Sequence, residues 1–134
     1  MGTWGLGIFD NDAAADFAST VADGGGIDAL QETIDRVLAA GDSYLEASDA
    51  QEALAAADIV ARLRGSPGQT SAYSEDVDSW ITSSGAVASD ALARNAKQVI
   101  ARVLAEPSEL LEEWAGSEEF EGWKHAVDDL ARRL

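Results

Sequence analysis

The sequence predicts an all-α protein: a single compact bundle of about six or seven helices, preceded by a coil rich in glycine and tryptophan. Apolar residues recur every three or four positions over most of the chain, which is the spacing of one helix face. Glycine or proline separates these periodic segments. Alternation of apolar and polar residues, the pattern of a strand, occurs only weakly, at Tyr44 to Glu46.

A chain of 134 residues is expected to form one domain, and it is long enough to bury one hydrophobic core. We divide residues 1–134 into a coil and helix cap over 1–11 and a helical bundle over 12–134. The absence of cysteine excludes disulfides and thiolate metal sites.

The first helix is predicted to begin at Asp12, with Asn11 or Asp12 as its cap, because Asn and Asp accept hydrogen bonds from free amides at a helix start. It should end near Asp23, since the run Gly24 to Gly26 does not sustain a helix. A second, strongly amphipathic helix follows over Ile27 to Leu38 and is closed by Gly41.

The third helix is predicted to start with a Ser48-x-x-Gln51 capping box and to end at Gly65. Its apolar face is mostly alanine, so neighbouring helices can approach closely, and we expect it to lie at the centre of the bundle. A loop at residues 65–68 and an irregular stretch through Ser74 precede a short helix over Glu75 to Ser83. That helix should turn three side chains inward, namely Val77, Trp80 and Ile81.

Ser89 or Asp90 should begin the next long helix, and Glu106-Pro107 should end it, because the residue before proline is disfavoured in helical geometry. Ser108 can then start a short helix. The last helix is predicted from a 3-4-3-4 apolar spacing at Phe120, Trp123, Val127, Leu130 and Leu134.

The coil carries two large aromatic residues, Trp4 and Phe9, and aromatic side chains of this size seldom stay wholly exposed. We therefore expect it to pack beside the last helix, with Trp4 near Trp123 or Leu130.

The same segment offers a possible binding site for a small molecule or a divalent cation, formed by Trp4, Phe9, Asp10, Asn11 and Asp12. For a metal, the weak candidates are Asp10, Asp12 and Asp16, and helix capping explains the same residues more simply.

The formal net charge of −16 would repel nucleic acid and anionic membranes and would attract a basic protein partner. Negative charge concentrates between Trp114 and Trp123. It either forms a solvated face over a tryptophan-filled core or a docking surface for a basic protein. The residues of this possible partner face are Glu109, Glu112, Glu113, Glu118 and Glu119.

No catalytic set is predicted. His125 is the only histidine and lies off the apolar stripe of the last helix, so we expect it to be exposed. No cysteine nucleophile and no Gly-x-Ser-x-Gly elbow are present. We predict no cofactor and leave the question of enzyme activity open, with a non-enzymatic role favoured. No run approaches the roughly 18 apolar residues of a membrane span, so we expect a soluble, cytoplasmic protein.

The opening Gly2-Thr3-Trp4-Gly5-x-Gly7-x-Phe9-Asp10-Asn11-Asp12, continued by Ala14, Asp16 and Phe17, resembles the signature of a bacterial family, domain of unknown function 4259. The resemblance extends over the whole chain, through Tyr44 to Ala47, Glu52 to Ala61 and Trp114 to Leu134. It implies small, stand-alone bacterial proteins without an established activity, and it transfers no catalytic residue.

Two hypotheses for function remain. The first is a non-enzymatic protein-interaction module that binds a basic partner through its acidic face. The alternative is a site for a small molecule or a divalent cation, either for binding alone or for catalysis, at the Gly-Thr-Trp-Gly and Asp-Asn-Asp motif. The oligomeric state stays open.

Overall fold

The structure is a computed structural model that describes residues 5–68 and 70–134, without the side chain of Tyr73. Over these residues it contains no β-strand, and the predicted all-α class is confirmed. Its seven α-helices are α1 Asp12–Thr20, α2 Gly26–Ala39, α3 Ala47–Leu63, α4 Ala72–Ser84, α5 Asp90–Val103, α6 Glu109–Ala115 and α7 Phe120–Arg133. None of the helices in the described ranges is long and apolar enough to cross a membrane.

The connection between α1 and α2 breaks at the glycine run, as predicted. The regular α-helix ends at Thr20, a wider turn follows over Val21–Gly25, and the helical path is interrupted at Gly24, whose φ and ψ are not helical. Gly24 has φ 130° and Gly26 has φ 57°, conformations that other residues rarely adopt. The glycines therefore form a kink between two helices, because they allow the chain to change direction within one turn.

Helix α3 is central, as its alanine-rich face predicts, and it packs against each of the other six helices. Ala53, Ala56 and Ala57 are fully buried in it. The predicted capping box is wrong, because α3 begins at Ala47, one residue before Ser48. The amide of Ala47 donates to Oε1 of Glu109 at 2.7 Å, so a distant side chain caps this helix.

Helix α4 begins at Ala72, three residues before the predicted start, and the irregular stretch ends correspondingly earlier. The hydroxyl of Ser74 accepts from the amide of Ser71 at 2.9 Å, which stabilises the first turn. Val77 is buried as predicted, and Trp80 and Ile81 are partly buried against the core. The helix ends at Ser84, before Gly85 at φ 67°.

The second half of the chain follows the prediction closely. Ser89 and Ser108 cap α5 and α6 through their hydroxyls, and α5 ends at Val103, three residues before the predicted break at Glu106-Pro107. The weak alternation at residues 44–46 corresponds to one isolated parallel bridge between Leu45 and Ser108. This bridge holds the segment before α3 against the start of α6.

The coil at residues 5–9 packs beside α7, which confirms that prediction for the described residues. A Cβ added to Gly122 would lie 2.8 Å from Cδ1 of Leu6, so the two segments are in close contact. Asn11 caps α1 by accepting from the amide of Ala14 at 2.8 Å. Trp4, and with it the predicted contact to Trp123 or Leu130, lies outside the described residues.

Candidate functional site

Five charged side chains form a network of ion pairs that connects three helices, α3, α4 and α7. Asp58 and Arg62 lie one turn apart on α3 and are 2% and 5% exposed. Arg62 donates to Asp58 at 2.7 Å and to both carboxylate oxygens of Asp78 on α4 at 3.0 Å. Arg133 on α7 donates to Asp58 at 2.7 Å and to Asp129 at 3.2 Å. Asp58 thus accepts from two guanidinium groups.

Arg62 remains charged although it is buried. Desolvation acts to lower the pKa of Arg62, but attraction and hydrogen bonds from Asp58 and Asp78 outweigh it, so the pKa is raised above its ordinary value. The sequence reasoning missed this pair. The available signal was an Asp and an Arg four residues apart, surrounded by alanine and other apolar residues on a helix expected at the centre of the fold.

The N-terminal motif contacts this network through Phe9, which is 5% exposed. The guanidinium carbon of Arg62 lies 5.6 Å from the centroid of the Phe9 ring, within the range of a cation–π interaction. The adjacent Asp10 accepts from the amide of Gly7 at 2.9 Å, and a Cβ at Gly5 would lie 2.6 Å from the same carboxylate oxygen. Gly5 therefore leaves room for the Asp10 side chain, around which the coil folds.

A pocket of about 220 Å³ lies between the coil, α3 and α7. Its wall includes the coil at residues 7–10, the charged groups of Asp58, Arg62 and Arg133, and Ser71. His125 also lines it and is exposed, as predicted. The loop before α4 contacts Arg133. The Nη1 atom of Arg133 donates to the carbonyl oxygen of Ser66 in this loop at 3.2 Å.

The candidate metal ligands from the sequence do not come together. Asp10 lines the pocket beside α7, whereas Asp16 lies in a separate cleft with Glu32 and Glu52. Asp12 is exposed in the first turn of α1. Within the part of the chain that the structure describes, no three His, Asp or Glu side chains are grouped so that they could hold a metal ion.

Helix α6, which carries several of the acidic residues, contacts α7 through stacked aromatic rings. Trp114 and Trp123 stack with their centroids 5.7 Å apart and their planes 6° apart. Four of the five glutamates named for the partner face are exposed, namely Glu112, Glu113, Glu118 and Glu119. Glu109 is half-buried because its carboxylate caps α3.

Tyr44 lies in the segment before α3, close to several of these glutamates, and its side chain is 52% exposed. Partial desolvation and then the charges of Glu112, Glu109, Glu113 and Glu106 raise the pKa of Tyr44. Desolvation, followed by the charge of Glu106 and a hydrogen bond with it, also raises the pKa of Glu112. After desolvation, neighbouring glutamates are the main cause of both shifts, so like charges lie close together at this face, called here the α6 acidic face (Glu106, Glu109, Glu112, Glu113 and Tyr44).

The sequence matches the family described as Domain of unknown function (DUF4259) over residues 2–126. The chain belongs to this family. Searches of curated proteins and of solved structures gave no significant match.

The DUF4259 match includes the coil, Asp58 and Arg62, and the whole α6 acidic face, but it ends within α7. Asp129 and Arg133, which complete the charged network, lie beyond it. The family description assigns no activity, so the function has to be inferred from the geometry of these sites.

Proposed function

We propose that this protein is a non-enzymatic interaction module whose α6 acidic face docks a basic segment of a partner protein. The observation that carries the proposal is the crowding of glutamates around exposed Tyr44, which adds to desolvation in raising the pKa of both Tyr44 and Glu112. Lysine and arginine side chains of a partner would relieve this repulsion on binding. The excess of acidic over basic residues, 25 against 9, would also steer such a partner toward the surface.

The local charges support a surface that is open to a cation. Among the described residues, no lysine or arginine forms an ion pair with Glu106, Glu112 or Glu113. The nearby Arg102 instead donates to four backbone carbonyl groups, those of Gly41, Ser43, Ala105 and Pro107. It fixes the loops beside the face and leaves the glutamate charges unpaired.

The face is also well ordered for binding. Glu109 caps α3, Ser108 caps α6, and the Leu45 bridge fixes the segment that carries Tyr44. A preformed surface loses less conformational entropy on association, so more of the interaction free energy appears as affinity. Tyrosine supplies a contact with both apolar and polar character, and it is enriched in protein interfaces.

The experiment compares two variants with the same net charge. In the face variant, three glutamates of the face and Glu118 from the turn after α6 are changed to glutamine (Glu106, Glu112, Glu113 and Glu118). In the control variant, four carboxylates on α1 and α2 are changed to their amides (Asp16, Asp28, Glu32 and Asp35). Binding of a lysine- and arginine-rich peptide is measured by Trp114 fluorescence and by amide NMR shifts at several salt concentrations.

We expect the face variant to lose at least tenfold in affinity, the control variant to change little, and added salt to weaken binding to wild type. Equal losses in both variants would contradict the proposal, because they would mean that the peptide responds only to total charge. Amide shifts spread over the whole surface would contradict it as well.

The alternative site at the N-terminal motif receives less support. Asp10 holds the coil through Gly7 and Asn11 caps α1, so both residues have roles in folding. Phe9 is 5% exposed and packs against Arg62. Each of these three residues therefore makes a contact that contributes to folding.

A further inference from the structure

We infer that the pocket between the coil, α3 and α7 binds a small organic cation, a primary ammonium or guanidinium group on a short aliphatic body. This site is distinct from the α6 acidic face, and the inference does not depend on the docking proposal. It rests on the pocket's size, on the sign of its charge and on the rigidity of its walls.

The size of the pocket suits a small molecule. Its volume of about 220 Å³ far exceeds the ~10–15 Å³ that a single water requires. It is below the roughly 300–1,000 Å³ of pockets that take drug-sized ligands. A ligand with a few carbon atoms and one polar head group fits these limits.

The charges of the pocket favour a cation. Three carboxylates, those of Asp10, Asp58 and Asp129, line it together with the guanidinium groups of Arg62 and Arg133. Each guanidinium group already pairs with two carboxylates, and one of these, Asp78, lies outside the pocket wall. An anion would have to compete with these partners within a protein of charge −16. Asp129 is already shared by Arg132 and Arg133, whereas Asp10 forms no ion pair among the described residues, so a cation would pair with Asp10 first.

The rest of the wall suits a short aliphatic body. Ile8, Phe9 and Ala126 contribute apolar surface beside the carboxylates. Recognition sites for small molecules commonly combine such apolar walls with a few fixed polar groups. The pocket therefore offers contacts both to the charged head and to the carbon chain of the proposed ligand.

The polar groups are held in place before a ligand arrives. Gly7 fixes the Asp10 carboxylate at 2.9 Å, and the Arg133 guanidinium is held by Asp58, Asp129 and the carbonyl of Ser66. Gly68 packs directly on that guanidinium, since an added Cβ would lie 2.5 Å from its Nη2. Such preorganisation lowers the entropic cost of binding.

The test is an amide NMR titration with propylammonium, with propionate and 1-propanol as the anionic and neutral probes of the same length, at constant ionic strength. We expect saturable shifts at Gly7, Asp10, His125 and Asp129 with propylammonium alone. An absence of saturable shifts with propylammonium, equal responses to propionate, or shifts spread over other acidic surfaces would overturn the inference.

Two variants locate the binding. Ala126→Leu fills the pocket without a change of charge and should weaken binding at least tenfold. Asp10→Asn removes one pocket charge but keeps an oxygen acceptor for Gly7, and it should weaken binding several-fold. Asp16→Asn, the same change in another cleft, should have no effect. If Asp16→Asn weakens binding as much as Asp10→Asn, the cation binds to the acidic surface in general and the inference fails.

Discussion

Asn11 ends the N-terminal coil by capping α1 through the amide of Ala14. Replacement by alanine leaves that amide without its acceptor, so Asn11→Ala should lower the free energy of unfolding by about 1 kcal/mol. Asn11→Asp keeps the acceptor but loses the Nδ2 donor to the carbonyl oxygen of Ile8, so its stability should lie between those of wild type and Asn11→Ala. Urea unfolding of the three proteins measures the difference, and equal midpoints for wild type and Asn11→Ala would show that the cap does not stabilise the fold.

Arg62 and Asp58 form a buried charge pair, and removal of Arg62 leaves buried Asp58 with Arg133 alone and takes from Asp78 its guanidinium partner. We expect Arg62→Met to lower the free energy of unfolding by about 3–5 kcal/mol. Arg36→Met is the matched control, because Arg36 pairs with Glu52 at an exposed site where such pairs contribute about 0–1 kcal/mol. Similar losses in both variants would mean that burial of the Arg62 pair has no special energetic consequence.

At the scale of residues, sequence reasoning succeeded where the interaction is local. The caps Asn11, Ser89 and Ser108 each bond an amide three residues ahead, a relation visible in the sequence. It failed for Glu109, which caps α3 from 62 positions away. It also missed the network around Asp58, because its partners on α4 and α7 meet only in the folded chain.

At the scale of elements, the alanine face of α3 sets how closely the other helices approach. Ala57 is fully buried, and a larger side chain there has no space. We expect Ala57→Leu to lower the free energy of unfolding by about 1–3 kcal/mol. The same change at exposed Ala101 on α5 should stay within about 0.5 kcal/mol. A stable Ala57→Leu protein would show that the helices around α3 can separate easily.

The presence of the helices was predictable because their apolar spacing is regular. The errors of prediction concern the residues at which the helices begin and end. The α1–α2 connection was expected to break at the glycine run, and it does so as a kink at Gly24, with φ 130°. A glycine run indicates that the chain can turn, but the packing of both helices on the core decides whether it forms a loop or a kink. The start of α3 was misplaced because tertiary contacts, rather than Ser48, decide it.

At the scale of the whole molecule, a net charge of −16 destabilises the compact state through self-repulsion. Added sodium chloride up to a few tenths molar screens this repulsion and should raise the melting temperature. Thermal unfolding at constant pH over a salt series tests this. A flat or falling melting temperature would mean that the ion pairs of the fold outweigh the repulsion among its unpaired carboxylates.

The fold class and the position of the coil beside α7 could be predicted from composition and periodicity. The acidic face could be predicted from the glutamates in the sequence. Its proximity to Tyr44 could not be predicted, because the bridge between Leu45 and Ser108 that brings the two segments together forms only in the fold. The pocket beside α7 could not be predicted from the sequence, because its walls come from parts of the chain that are far apart in the sequence. A site assembled in this way leaves no pattern in the order of residues.

The central claim is that carboxylates crowd on the α6 acidic face and that a basic partner relieves the crowding. The most direct measurement is the pKa of Glu112 by carboxyl NMR, with and without a lysine- and arginine-rich peptide. Because the folded state raises this pKa, protonated Glu112 favours folding at a pH below its unfolded pKa, and this contribution is lost as the pH rises through the folded pKa. We expect a value above the ordinary ~4.3 in the free protein, lowered toward it when the cationic peptide binds and favours the charged form. An ordinary pKa in the free protein, or a raised one that the bound peptide leaves unchanged, would contradict the account.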